Sequence, residues 1–255
     1  MPRINENLSL KDKEYVAMKP GADIIGHALQ DYLAGEQAAT IQVYSDIADP
    51  EELIAAYFFR SAAQMPELEK IALRHCRGKI ADLGAGAGSH SLELQNNGFN
   101  VTAFDISKGA CAVMRKRGVN NVVQADVFSL GAEQFDTILM LMNGIGLVNS
   151  PDGLVYFLER LKNNLAPGGQ VILDSSDITY MYYDEEGALN LDLNAEYHGV
   201  VTYQMEYKNK KGQPFKWLFI EFPVLQEYCE QTGYTCELLA QGENDQYLAK
   251  LTLQD

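Results

Sequence analysis

The stretch Lys79-Ile80-Ala81-Asp82-Leu83-Gly84-Ala85-Gly86-Ala87-Gly88-Ser89 decides the fold. Its first five residues have an apolar centre and read as a short buried strand. Glycines then stand at alternate positions before a helical segment, Ser89 to Asn97, that stops at Gly98. A glycine-rich turn between strand and helix lets the main chain approach a ligand without Cβ obstruction. The helix behind it offers free N–H groups and a positive dipole end to an acidic ligand group. Structural turns also use glycine, so the loop gains meaning only from what surrounds it.

Downstream the alternation continues. Asn100 to Phe104 reads as a strand, Lys108 to Arg117 as a helix ended by Gly118, and Asn121 to Gln124 as a third strand. Phe135 to Met142 is a continuous apolar run, the pattern of a strand covered on both faces. Pro151 to Leu165 reads as a helix, and Pro167-Gly168-Gly169 as a turn into strand Gln170 to Asp174. This βαβ grammar predicts an α/β fold, a doubly wound and mostly parallel sheet with right-handed crossovers.

The flanks read differently. Up to about Arg77 the chain looks helical: Asp23 to Leu33 has helical apolar spacing, and Met65-Pro66-Glu67 opens a helix ending near Cys76. Between them, Asp49-Pro50-Glu51-Glu52 carries an N-cap acid, a proline at the first position and acids in the first turn. Beyond the sheet, Val200 to Lys208 and Phe215 to Phe222 flank Lys211-Gly212-Gln213-Pro214 as a hairpin. Pro223 to Gln231 reads as a helix closed by Gly233, with Tyr234 to Ala240 and Gln246 to Leu253 as an antiparallel pair. Ser175 to Gly199 is rich in tyrosine and shows no clear period. The expected organisation is a helical cap over residues 1–77 and a ligand-binding domain over 78–255, with an insertion at about 175–222.

Composition narrows the partners. The 255 residues hold 35 acids against 20 lysines and arginines, a net charge of −15. Such a surface repels phosphate backbones, which argues against nucleic acid and leaves a small molecule as the expected partner. Met1 to Asn7 is followed by no apolar leader, and the run Ile138 to Met142 is too short to cross a bilayer. Cys76, Cys111, Cys229 and Cys236 are scattered without a CxxC pair, as suits free thiols in a reducing cytoplasm.

Two aspartates add to the glycine loop. Asp105 ends the second strand of the alternation, about twenty residues after the loop, where a carboxylate can accept both hydroxyls of a ribose. Asp126 follows the third strand, where a carboxylate can accept from an adenine amino group between apolar neighbours. Ligands in such sheets bind at the carboxyl ends of the strands, which is where all three features fall. A dinucleotide site asks for GxGxxG, and here Gly88 comes one residue early with Ser89 in the place of the third glycine. A single nucleoside with an amino-acid tail fits better, with Asp82 placed to help hold an ammonium.

Taken in order, Asp82 to Gly88, Phe104-Asp105-Ile106-Ser107, Ala125-Asp126-Val127, Phe135-Asp136-Thr137-Ile138-Leu139 and Leu165-Ala166-Pro167-Gly168-Gly169 resemble the class I S-adenosylmethionine-dependent methyltransferases. The motifs cover roughly residues 78–174, and the closing helix and strand pair resemble that family's carboxyl end. The resemblance implies a Rossmann-like sheet of seven strands, six parallel and one antiparallel, and S-adenosylmethionine as cofactor. It implies that Asp82, Gly84, Ala85, Gly86 and Gly88 line the methionine part. Asp105 would bind the ribose with Ile106 against the adenine, Asp126 would meet the adenine amino group with Val127 alongside, and Asn143 would lie beside the sulfonium and the acceptor. Met142-Asn143-Gly144-Ile145-Gly146 departs from the Asn/Asp-Pro-Pro-aromatic motif of enzymes that methylate nucleic-acid amines, in agreement with the charge.

The acceptor side carries weaker signals. Beside Asn143, the catalytic candidates are His90, directly after the glycine loop, Asp174 and Asp177 at the end of the fifth strand of the alternation, and Tyr180. Both acids could bind an acceptor amine or, with other oxygens, a divalent metal, and Asp177 could simply cap a helix; no full set of metal ligands is visible in the spacing, so no metal is expected. Tyr180, Tyr182 and Tyr183 are candidate pocket walls. Arg60 is placed to reach a carboxylate, while His27 and His198 have no neighbouring pattern and read as structural. The expected function is methyl transfer to a small-molecule acceptor by in-line displacement. A non-catalytic S-adenosylmethionine-binding protein and a nicotinamide-dependent oxidoreductase are the alternatives.

Overall fold

A computed structural model describes residues 21–184, 186–191 and 196–254. The amino-terminal run Met1 to Asn7 lies outside the described residues. In chain order the elements are α1 (Ile24–Leu33), β1 (Thr40–Ser45), β2 (Glu51–Ile54), α2 (Glu67–His75), β3 (Lys79–Leu83), α3 (Ser89–Asn96), β4 (Asn100–Asp105), α4 (Lys108–Arg117), β5 (Asn121–Gln124) and β6 (Phe135–Met140). They continue with α5 (Pro151–Leu161), β7 (Leu165–Ser176), β8 (Val200–Tyr207), β9 (Lys210–Lys211), β10 (Phe215–Leu218), α6 (Phe222–Gln231), β11 (Tyr234–Gln241) and β12 (Gln246–Leu253). Short 3₁₀ turns cover Ala55–Phe59, Ala62–Gln64, Gly144–Val148 and Thr179–Tyr182.

Seven strands form the main sheet in the order β5-β4-β3-β6-β7-β12-β11. The β5, β4, β3, β6 and β7 pairings are parallel, and β12 runs antiparallel to both β7 and β11. Six strands therefore share one direction and β12 opposes them, as the resemblance implied. The chain steps outward from β3 to β4 and β5, then returns to β6 on the other side. That reversal opens a crevice at the carboxyl ends of β3 and β6.

Helices cover both faces, and β6 records it residue by residue. Ile138 and Met140 pack into a core with Phe135, Leu154, Phe157 and Leu158. The alternating Leu139 and Leu141 pack on the opposite face with Ala72, Leu94, Ile172 and Leu248. Consecutive apolar residues from Ile138 to Leu141 are what two covered faces demand.

A second, antiparallel sheet has the order β10-β8-β1-β2, with the short β9 beside β8. It corrects the helical reading of the amino-terminal part. The segment after Asp49-Pro50 forms β2, paired Val43↔Glu51 through Thr40↔Ile54 with β1. The helix-start signal there is worth ~1 kcal/mol, and pairing along β1 outweighs it. The inserted hairpin is present as β8 and β10, with Phe215 opposite Tyr203. It joins the amino-terminal strands through the β1–β8 pairing, Gln42↔Glu206 to Ser45↔Tyr203.

Smaller boundaries also move. Helix α5 ends at Leu161 rather than Leu165, and β6 at Met140 rather than Met142. Strand β7 reaches back to Leu165, with its register against β6 shifting between Phe135 and Thr137.

Candidate active site

The glycine loop rises from β3. Gly84, Gly86 and Gly88 all have positive φ, at 72°, 56° and 80°. A side chain at Gly86 would press on the Phe58 ring, and one at Gly84 on Leu147. The loop is thus fixed as a bare main-chain surface between two apolar walls. Main-chain N–H groups of Gly84 and Ala85 donate to the Phe104 carbonyl at 2.9 and 3.0 Å. Arg117 donates to Ala87 O at 2.6 Å, and Ser89 Oγ to Phe58 O at 2.7 Å.

Beneath the loop lies a buried polar cluster. The Asp82 carboxylate accepts from Ser91 Oγ at 2.6 Å, and burial raises its pKa against the partial offset of His90 and Ser91. Glu69 pairs with Arg60 at 2.7 Å and with His90 Nε2 at 2.7 Å. Burial pulls the His90 pKa down, but the Glu69 hydrogen bond and the Asp82 and Glu69 charges outweigh it and raise it. His90 is therefore a buried brace between α2 and α3, spent on Glu69. Arg60 does reach a carboxylate, and its guanidinium lies 3.7 Å from the Tyr57 ring centroid.

Asp105, at the end of β4, accepts from the N–H groups of Gly86 and Ser107, each at 2.8 Å, one on each oxygen. Each oxygen keeps a lone pair for a second donor. Burial, outweighing these two bonds, pushes its pKa up to about 6. The next loop carries Asp126, whose Oδ1 accepts from Phe128 N at 2.9 Å, beside Val127. The Ala125 N–H to Asp105 O bond, 3.1 Å, sets the two loops side by side. Helix α1 closes this edge: its N-cap Asp23 also accepts from Ser107 Oγ at 2.7 Å and Gly109 N at 2.8 Å, so one carboxylate serves two helix starts.

Across the crevice, the chain leaves β6 through Met142 and Asn143, both left-handed at φ 66° and 54°. Such backbone is costly for a methionine and persists only where its surroundings impose it. Asp174 supplies part of that constraint. It is 4% exposed, accepts from Gly144 N at 3.0 Å and also bonds the Asn143 main chain. Burial pushes its pKa up to about 6. Asp174 is thus a positioning residue for the loop. Ser176 Oγ donates to Asn143 Oδ1 at 2.9 Å. Asp177 caps the following turn by accepting from Thr179 N at 2.8 Å, which leaves Tyr180 about half exposed.

Sequence spacing did not reveal several of these neighbours. Trp217 of β10 lies directly on Gly146, where any side chain would run into the indole. This contact brings the second sheet over the loop after β6. Glu221 and His198 sit with Asp177: His198 Nε2 is 2.7 Å from Glu221 Oε1, and the three ligating atoms lie within 4.8 Å of one another. Nothing local in the sequence joins residues so far apart. An isolated tryptophan after a hairpin turn was the one available cue for the first contact.

A methyltransferase domain family matches residues 80–169. A solved S-adenosylmethionine-dependent methyltransferase from Bacteroides fragilis, in complex with S-adenosylhomocysteine, is 38% identical with a TM-score of 0.86, covering 91% of this chain and 95% of that one. The cypemycin N-terminal methyltransferase of a Streptomyces species is 29% identical over 102 residues, 38% of this chain and 42% of that protein's length. The sugar N-methyltransferase KedS8 from a Streptoalloteichus species shares the fold, at 15% identity, a TM-score of 0.54, and coverage of 83% and 97%. The chain belongs to the S-adenosylmethionine-dependent methyltransferases, and its cofactor is S-adenosylmethionine. Family membership selects methyl transfer over a non-catalytic binding role and over nicotinamide-dependent oxidoreduction. Among the described residues no helix is long and apolar enough to cross a membrane.

Proposed function

We propose that this enzyme methylates a small, neutral or cationic molecule in the cytoplasm, at the carboxyl edges of β6 and β7. The observation that carries the reading is the asymmetry of the crevice. One wall is bare main chain and carboxylate, and the other is a strained loop roofed by an aromatic sheet.

On the first wall, Asp105 would take the ribose hydroxyls on its two free lone pairs, with Ile106 against the adenine. Asp126 would take the adenine amino group, with Val127 alongside. The main chain from Gly84 through Ala85 and Gly86 to Gly88 would lie along the methionine part, with Asp82 held behind it. S-adenosylmethionine supplies an activated methyl group on its sulfonium. The residues around it align the acceptor in line with the methyl–sulfur bond and exclude water. Asn143, fixed by Ser176 and by the Asp174 brace, is the side chain placed to do so. The net charge of −15 and the departure from the nucleic-acid motif after Met142 support a small acceptor over a polyanion.

The test is incubation with methyl-labelled cofactor and a fractionated metabolite extract, with calorimetry against S-adenosylhomocysteine in parallel. A labelled small-molecule product is expected. Label appearing only in nucleic acid or protein would overturn the acceptor class.

A further inference from the structure

The strongest unassigned feature is the cluster of Asp177, His198 and Glu221, contributed by three separate parts of the chain. Asp177 follows β7, and its N–H donates to Asp245 O at 3.2 Å. Its Oδ1 accepts from Thr179 N at 2.8 Å. His198 precedes β8; its carbonyl accepts from Tyr182 OH at 2.5 Å and its ring stacks near Tyr197 at 4.6 Å between centroids. Glu221 begins α6, and its neighbour Ile220 is tied to β7 by an N–H bond to Ser175 Oγ at 3.0 Å. Thr179 N thus fixes the Asp177 carboxylate and Tyr197 flanks the His198 ring, while the Glu221 side chain is held through His198.

Two observations point to a cation. Among the described residues the second Glu221 oxygen, Oε2, is buried and has no hydrogen-bond partner, an unfavourable state that a bound cation would relieve. In addition, two carboxylates share a half-buried space, and among the described residues no lysine or arginine ion-pairs with either. We propose that Asp177, His198 and Glu221 bind a divalent first-row transition metal. One imidazole nitrogen and two carboxylates suit zinc or manganese, and three protein ligands leave coordination positions open.

The site adjoins the acceptor wall, because Ser176, one residue before Asp177, donates to Asn143. Its open positions would take an oxygen or nitrogen of the acceptor. That use rests on the methyl-transfer reading above, whereas ion binding does not.

The test strips the full-length protein with a chelator and titrates it by calorimetry with Zn²⁺ and, separately, Mn²⁺. The same preparations are titrated with S-adenosylhomocysteine. One ion per chain is expected, bound about 100-fold more weakly by both His198→Ala and Glu221→Gln. Glu221→Gln keeps the side-chain shape and an acceptor for His198, so it reports on ligation if His198→Ala fails to fold. No saturable binding of either ion, or equal affinity in wild type and Glu221→Gln, overturns the site. Failure of wild type to bind S-adenosylhomocysteine would instead overturn the methyl-transfer reading and leave the ion result standing by itself.

Discussion

The two walls of the crevice are built on opposite plans. The β3–β5 wall uses neighbours in sequence: a glycine loop, then an aspartate about twenty residues on, then another. Its polar groups are main-chain N–H and carboxylate, fixed by short hydrogen bonds such as the two at 2.8 Å on Asp105. The β6–β7 wall is drawn from distant parts of the chain. Its roof joins β1, β8 and β10, and its side chains include Trp217, Asn143, Ser176 and the acids Asp174 and Asp177. One wall suits a ligand that never changes, and the other can vary its lining without disturbing the first.

The contrast can be broken experimentally, most forcefully at Asp105. Its replacement by alanine removes a charged acceptor for two hydroxyls, each worth ~1.5 kcal/mol or more. S-adenosylhomocysteine affinity should fall about 100-fold by calorimetry. A change under threefold would mean that this wall does not hold the cofactor.

A pH series sharpens the same point. Burial pushes the Asp105 carboxyl up to about 6, and only its ionised form would accept from both ribose hydroxyls of the proposed site. Its folded pKa lies above the ordinary carboxylate value, so cofactor affinity should be full above the folded pKa and decline as pH falls through it. The decline approaches tenfold per pH unit below about 6. Asp105→Asn should flatten this dependence, and a wild type with flat affinity from pH 5 to 8 would contradict the assignment.

The opposite wall should respond in the opposite sense. Trp217→Ala takes the indole off Gly146 and should lower labelled-product formation about tenfold through lost alignment. S-adenosylhomocysteine affinity should stay within about twofold, since no cofactor contact is assigned to that residue. Equal losses in both readouts would erase the distinction between the walls. The smallest effect is expected at Asp23→Ala, which uncaps α1 and removes the acceptor for Gly109 N in the first turn of α4. It should cost ~1–2 kcal/mol, a fall in melting temperature of about 2–6 °C for a chain of this size.

How much was legible in the sequence follows the same division. The main sheet could be read because each strand and helix carries its own period, and Asp105 and Asp126 could be placed at its carboxyl edge because one ends and the other follows a strand set by that period. Strand β2 was misread since its helix-start residues are a local signal, while the pairing partner that overrules them, β1, is a tertiary fact. Glu69 under His90, Trp217 over Gly146, and His198 with Glu221 beside Asp177 depend on contacts between elements far apart in the chain. No window of residues contains them. His90 stood out only by following the glycine loop, because nothing near it in sequence foretells the acid 21 positions away that holds it.

The pairing of β1 with β8 also sets the order in which the molecule can be completed. Tyr44 and Glu206, hydrogen-bonded across that seam, stand 162 positions apart. At synthesis rates of about 5–20 residues per second, the first strand waits on the order of 10–30 s for its partner to emerge. Throughout that interval β1 presents an unpaired edge, the kind of template that invites misassociation between chains. The main sheet from β3 to β7 is available earlier, so the roof closes over a crevice whose floor is already in place. The cost of that late closure is loop entropy, which rises only slowly with length. The exposure is one of time more than of energy.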